Sequence, residues 1–170
     1  MKRALAGYRN IAGDERGSAI LELAVVLPVF LTIALGVFEF GNLIYSWHLI
    51  HNGVRDGARY VAGMPYDASN STLLIANLAK AQNITARGVD TGGSNRVSWW
   101  APSTVGVAYT TVANGPTDCG GTRCYRGGDS ITLVTVSTSV AYQPLGFLGF
   151  LGLNAITLTS SHEERLFGVR

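Results

Sequence analysis

Between Ile20 and Phe40 lie 21 residues of which only Glu22 and Glu39 are charged, and the 16 from Leu23 to Phe38 carry no charge at all. At ~1.5 Å rise per residue, a helix over this run is about 30 Å long, the thickness of a bilayer's hydrocarbon core. It either crosses a membrane or is discarded as a secretory signal, for which Ala34-Leu35-Gly36 offers a small-x-small cleavage site. The pattern favours crossing, because it runs on without a loop. Phe40, Leu43, Ile44, Trp47, Ile50, Val54, Ala58 and Val61 recur at three- and four-residue steps, and cleavage at Gly36 would cut one helix in two. The sequence thus predicts a continuous helix over 18–62, membrane-spanning to about residue 42 and amphipathic beyond, stopped by Gly63 and Pro65.

Charge sets its orientation. Lys2, Arg3, Arg9 and Arg16 precede the apolar run against Asp14 and Glu15, while nine basic and nine acidic residues follow Gly17. A positive head holds the N-terminus in the cytosol, which makes 1–17 a cytoplasmic leader and 63–170 an extracytoplasmic domain. The neutral body lacks the basic face that nucleic acid requires. With 170 residues there is room for the span and one domain of roughly 100 residues, and for no further enzyme-sized unit.

Two residues in the run need a physical reason. Glu22 lies one turn above Ser18 on the same face, and a carboxylate in lipid costs on the order of 2.5–3.5 kcal/mol at mid-bilayer, less near an interface. A chain cut between Gly17 and Ser18 would have a positive α-amine there to pair with Glu22; an uncut chain would hold Glu22 among headgroups. Glu39 is expected at the opposite interface. Pro28 removes one backbone donor, and a kink or local melting is expected there.

Beyond Pro65, Ser69 or Ser71 can cap a second helix carrying Leu73, Leu74, Ile75, Leu78, Ala79 and Ile84 and ending before Gly88. Candidate strands follow at 96–100, 105–112, 130–142 and 155–161. In the third, Val134, Val136, Val140 and Tyr142 fall on one face, as in a half-buried antiparallel sheet. Helices followed by strands predict an α+β domain with helices on one sheet face. Trp99 and Trp100, adjacent on a strand, would face opposite sides. The stretch from Leu145 to Leu153, with Phe147 and Phe150, is too short to span and too apolar for an ordinary loop, and is expected to be a subunit contact rather than to pack on the domain. Cys119 and Cys124 would close a hairpin tip as a disulfide in an oxidising compartment, and stay as thiols in the cytosol.

No residue constellation for catalysis stands out, and no enzyme activity, cofactor or small-molecule substrate is expected. His48 and His51 have metal-compatible spacing but no nearby Asp, Glu or Cys to complete a set, so packing is the expected role. The Gly-Gly pairs lack the Lys-Ser/Thr of a phosphate loop, and no serine stands in a nucleophile-elbow pattern. His162-Glu163-Glu164 reads as a solvated charge cluster. Arg55 and Arg59, one turn apart, are read as a solvated face or, in an oligomer, as partners for a neighbour's Glu163 or Glu164.

The string Arg16-Gly17-Ser18-Ala19-Ile20-Leu21-Glu22-Leu23, with Leu27-Pro28 and the apolar run, resembles a type IV pilin-type processing signal, and more specifically the TadE/TadG-like pseudopilins of tight-adherence (Flp) pilus systems. Glu39-Phe40-Gly41 and the helix end Val54 to Ala62 fit the same pattern; Val140-Ala141-Tyr142-Gln143-Pro144-Leu145 and the final strand are a weaker match. The resemblance implies a pilin-like fold and a minor pilin or pseudopilin in a bacterial inner membrane, its domain periplasmic or carried into a pilus. It implies cutting by a prepilin peptidase after Gly17, leaving Ser18 as the new N-terminus and Glu22 as the fifth mature residue. Partners would be that peptidase, other pilins, platform proteins of the inner membrane, and lipid. Leu23 stands where such pilins commonly have Phe or Tyr. An uncleaved, membrane-anchored scaffold or adhesin-type module, with the apolar loop and Trp99-Trp100 as its surface, stays open as the alternative.

Overall fold

The computed structural model describes residues 15–67, 71–150, 152 and 156–167; the leader's Lys2, Arg3 and Arg9 and the cap candidate Ser69 lie outside them. The long helix is one element, α1 (Glu15–Ala62), and Pro28 lies inside it. The expected melting does not occur there: a helix loses only one donor to a proline.

A second helix, α2 (Ser71–Arg87), ends one residue before Gly88 as the glycine predicts. Gly88 has φ +81°, the left-handed conformation that ends helices cheaply only without a Cβ. A short 3₁₀ turn (Pro102–Thr104) leads into β1 (Val105–Ala113), followed by β2 (Ser130–Ala141), a one-turn helix α3 (Phe147–Phe150) and β3 (Thr157–Arg165). The strands form an antiparallel sheet in the order β1-β2-β3, with Val107 opposite Val136 and Val140 opposite Leu158.

One sheet face is buried and the other is wet. On β2 the even-numbered Val134, Val136, Thr138 and Val140 are all buried, while Ser139 on the opposite face is exposed and meets Thr159 at 3.2 Å. This is the alternation of a half-buried antiparallel sheet. Against the apolar face lies the upper half of α1. Its stripe of Ile50, Val54, Ala58 and Val61 is at most 1% exposed and packs with Ala81 and Ala86 of α2 and with Trp100. Each large apolar side chain so buried contributes about 1.5–3 kcal/mol, more than any surface ion pair of this domain can. The end of α1 is closed by the far end of the chain: Phe167 N–H donates to the Ala62 carbonyl, one of the acceptors a helix C-terminus leaves unpaired.

Three sequence expectations change. Residues 96–100 form a turn, not a strand, held by Arg96 N–H on the Ala86 carbonyl and Trp100 N–H on the Val97 carbonyl. In a turn, residues three apart share a side, so Val97 and Trp100 are both buried while Trp99 is half-buried against them. The last strand runs on through Arg165, taking His162-Glu163-Glu164 out of solvent-facing coil and into the sheet. Of the stretch from Leu145 to Leu153, the described part folds back on its own domain: Leu148 is 2% exposed and Phe147 is half-buried, whereas Leu145 is exposed. The side chain of Phe150, like Leu151 and Leu153, lies outside the described residues.

Candidate functional site

Among the described residues, the stretch of α1 from Gly17 to Leu31 has no packing neighbours from the domain. A Cβ added at Gly17 would meet nothing within 4 Å, and Ser18, Glu22 and the apolar residues from Ile20 to Leu31 are all exposed. Ser18 Oγ lies 3.5 Å from Glu22 Oε1 and donates to it, so helical spacing brings together the residues read as the processing point and its counter-charge. A helix that is apolar on all sides and unpacked over this length is what a membrane span looks like outside its membrane.

The domain begins to touch α1 at Gly36 and Glu39. A Cβ built at Gly36 would lie 3.6 Å from the Phe147 ring. Glu39, expected at an interface, is 1% exposed and enclosed by protein. Its Oε1 accepts from the Tyr142 hydroxyl and from the Leu145 N–H, both at 2.9 Å, and its Oε2 accepts from the Phe147 N–H at 3.3 Å. Asn42, one turn up, donates to the same hydroxyl at 2.7 Å. A buried carboxylate is tolerated only where donors meet it, and here they come from the connection that closes the domain after β2. Burial raises the Tyr142 pKa above its ordinary 10.0; the hydrogen bond from Asn42 opposes this, and the hydrogen bond and charge of Glu39 add to it. Burial likewise raises Tyr109, and Tyr66, whose ring lies 4.5 Å away, adds to the shift.

The upper half of α1 is committed to the domain on two further sides. Toward α2, Gly53 and Gly57 allow close approach: a Cβ at Gly57 would overlap Thr85 Oγ1, and one at Gly53 would meet the Thr85 carbonyl and the Trp100 ring, the ring at 2.9 Å. Toward β3, the inward residues Ser160 and Glu164 face the helix. His51 Nδ1 is 3.1 Å from Ser160 Oγ, and Arg59 Nε is 3.7 Å from Glu164, which His162 Nε2 also meets at 3.0 Å. Arg59 was read as solvated or as paired with a neighbour's acid; it stays 61% exposed, and the acid beside it, Glu164, comes from its own chain. Arg55 is half-buried, and its neighbour Asp56 pairs with Arg96 at 2.7 Å. His51 stacks on Trp47 at 5.3 Å, while His48 meets the edge of the same ring at 5.1 Å. Trp100 is fully buried with its Nε1–H on Thr138 Oγ1 at 3.1 Å, and Trp99 lies edge-on to Tyr142.

At the other end of the sheet, Cys119 and Cys124 are joined in a disulfide within the connection between β1 and β2. The buried Asn114 organises this loop: its amide donates to the carbonyls of Tyr125 and Gly128, and its Oδ1 accepts from Tyr125 N–H. Arg123 pairs with Asp129 at 2.7 Å. Over the twelve residues of β2, at ~3.3 Å each, about 40 Å separates this loop from the Glu39 latch.

Gly53, Gly57, Asn42, Arg96 and the latch role of Tyr142 were not singled out from sequence. For Glu39 a signal existed, since an acid in an apolar run implies donors nearby; which donors depended on a segment more than 100 residues away. For the glycines the signal was their four-residue spacing beside the buried stripe; a Cβ at Gly41, by contrast, meets nothing within 4 Å.

A long apolar N-terminal helix whose upper half packs on a second helix and a three-stranded antiparallel sheet is the α+β layout of a pilin-like protein, and the helix is able to cross a membrane once. Residues 17–59 match the family model described as TadE-like protein, and over that segment the chain is similar to it. No curated protein and no solved structure matches the chain.

Proposed function

We propose that this protein is a minor pilin or pseudopilin of a tight-adherence pilus, held in the bacterial inner membrane with its N-terminus in the cytosol and its domain in the periplasm. A prepilin peptidase cuts it after Gly17. The observation that carries the reading is the contrast within one TadE-like helix between a packed upper half and a lower half, including Gly17, Ser18 and Glu22, on which the domain makes no claim. Such a segment is free to enter a peptidase and then to pack on other pilin helices, where its small residues Ala19, Ala24 and Ala34 permit close approach. After cleavage the Ser18 α-amine lies one turn from Glu22, and the pair, within one chain or between neighbours, offsets the cost of a carboxylate in an apolar filament core. The role is structural rather than catalytic, and the other pilins and the inner-membrane platform are its partners.

The test is the mature N-terminus of protein from its native host, by intact mass and N-terminal sequencing, for wild type, Gly17→Ala and Glu22→Ala. A start at Ser18 that is lost in Gly17→Ala is expected, with Glu22→Ala cut but poorly assembled. An unprocessed wild-type chain would sink the peptidase reading and put in its place the anchored scaffold or adhesin, with the disulfide loop as its exposed end.

A further inference from the structure

We infer that the end of the domain nearest the span is seated in the bilayer surface, with Leu145 and Phe147 at the boundary between lipid headgroups and acyl chains. The inference rests on the reading of α1 as a membrane span, and four observations carry it.

The first is level. Phe147 lies against Gly36, and Leu145 and Phe147 both donate their N–H groups to Glu39. From Ser18 to Gly36 is 19 residues, about 28 Å of helix, so the connection reaches α1 where a hydrocarbon core of ~30 Å ends. The second is exposure: Leu145 is 70% and Phe40 is 56% exposed, although each lies next to residues the domain buries. Large apolar side chains left open at that depth extend a surface already in lipid, since Val37 and Phe38 directly below are 68% and 72% exposed.

The third is the chemistry of the latch. A carboxylate at the edge of the hydrocarbon is costly unless it is enclosed by donors. Both N–H donors to Glu39 come from the segment that carries Leu145 and Phe147. Holding this segment down and satisfying the carboxylate are thus a single arrangement. The fourth is composition: Leu145-Gly146-Phe147-Leu148 has no charge to resist the interface and carries Leu and Phe, side chains of the kind that interfacial segments bury at the headgroup–acyl boundary. The occupant is lipid rather than a second chain because the surface is continuous with the span and lies at the depth where the acyl chains end.

The test uses the wild-type full-length chain in phosphatidylethanolamine–phosphatidylglycerol vesicles that contain a phospholipid with a diazirine close to its ester linkages. After irradiation, lipid adducts are mapped by peptide mass. Adducts are expected in residues 18–40 and in 143–150, with none in the disulfide loop at 114–129. Adducts confined to 18–40, whether the domain stands off or a second chain covers the face, would overturn the seating and leave the span intact. No adduct in 18–40 would overturn the span itself.

Discussion

The two halves of α1 share one continuous backbone, yet they meet different solvents. From Ile20 to Leu31 the apolar side chains are exposed all round the helix. Above them, Ile50, Val54, Ala58 and Val61 are sealed against α2 and the sheet. The contrast holds residue type by residue type. Glu22 below has Ser18 beside it and is exposed, while Glu39 above is enclosed by Tyr142 and two backbone N–H groups. Gly17 below faces open space, while Gly53 and Gly57 above face Thr85 with no room for a methyl group. Amphipathic periodicity marks a helix that will find a tertiary partner, and uniform apolarity one whose partner is lipid or other helices.

The comparison is broken most directly at the glycines. Gly53→Ala and Gly57→Ala should each destabilise the domain by about 3 kcal/mol, toward the upper end for overpacking, because the Thr85 carbonyl and the buried Trp100 ring block a Cβ at Gly53 and the buried Thr85 side chain blocks one at Gly57. Thermal unfolding of the detergent-solubilised chain, followed by near-UV circular dichroism, reads this. Gly41→Ala, with nothing within 4 Å, should be neutral or slightly stabilising. Equal effects at all three positions would mean that the upper half is not packed as described.

Next come the carboxylates. Glu39→Ala strands the Tyr142 hydroxyl and two N–H donors, at a cost of about 2 kcal/mol. Glu22→Ala should leave the unfolding midpoint of the domain unchanged, so its consequences would appear only in assembly. Alkali separates the halves in another way. Tyr142 and Tyr109 have raised pKa values, so the folded state holds their protons longer than the unfolded chain does. Stability should therefore be flat below about pH 10, where both states are protonated, and fall above it as the unfolded chain loses protons first. Tyr142→Phe should lessen that alkaline slope in urea titrations run at several pH values. The smallest effect belongs to Arg59→Ala. Arg59 is 61% exposed and 3.7 Å from Glu164, and its loss should change stability by less than ~0.5 kcal/mol.

Much of the fold was legible because it depends on local patterns. The long helix, the second helix stopped by Gly88, three strands and the inward set on β2 followed from period and breakers. The turn at 96–100 was misread because β-branched and aromatic residues signal burial as readily as strand, and only the three-residue spacing of Val97 and Trp100 in a turn shows which. The extension of the last strand through His162-Glu163-Glu164 was missed because charged residues rarely face inward on a strand; here the polar side of α1 gives Glu164 a cation, while Glu163 stays exposed as read. At the candidate site, the approach of Ser18 to Glu22 was legible because the two are one helical turn apart. The Glu39 latch was not, because its partners lie more than 100 residues away in sequence.

By itself, the sequence determined that an uninterrupted apolar helix leads into a small α+β domain, that the chain has one segment able to cross a bilayer, and that its N-terminal string is TadE-like. These follow from short-range periodicity, length and composition. Tertiary structure alone decided where the free helix ends and the packed helix begins, which glycines are obligatory, and that Glu39 is enclosed by the domain rather than left to solvent. Each of these is a contact between residues far apart along the chain, set by how α1, α2 and the sheet dock, and no local pattern encodes that distance.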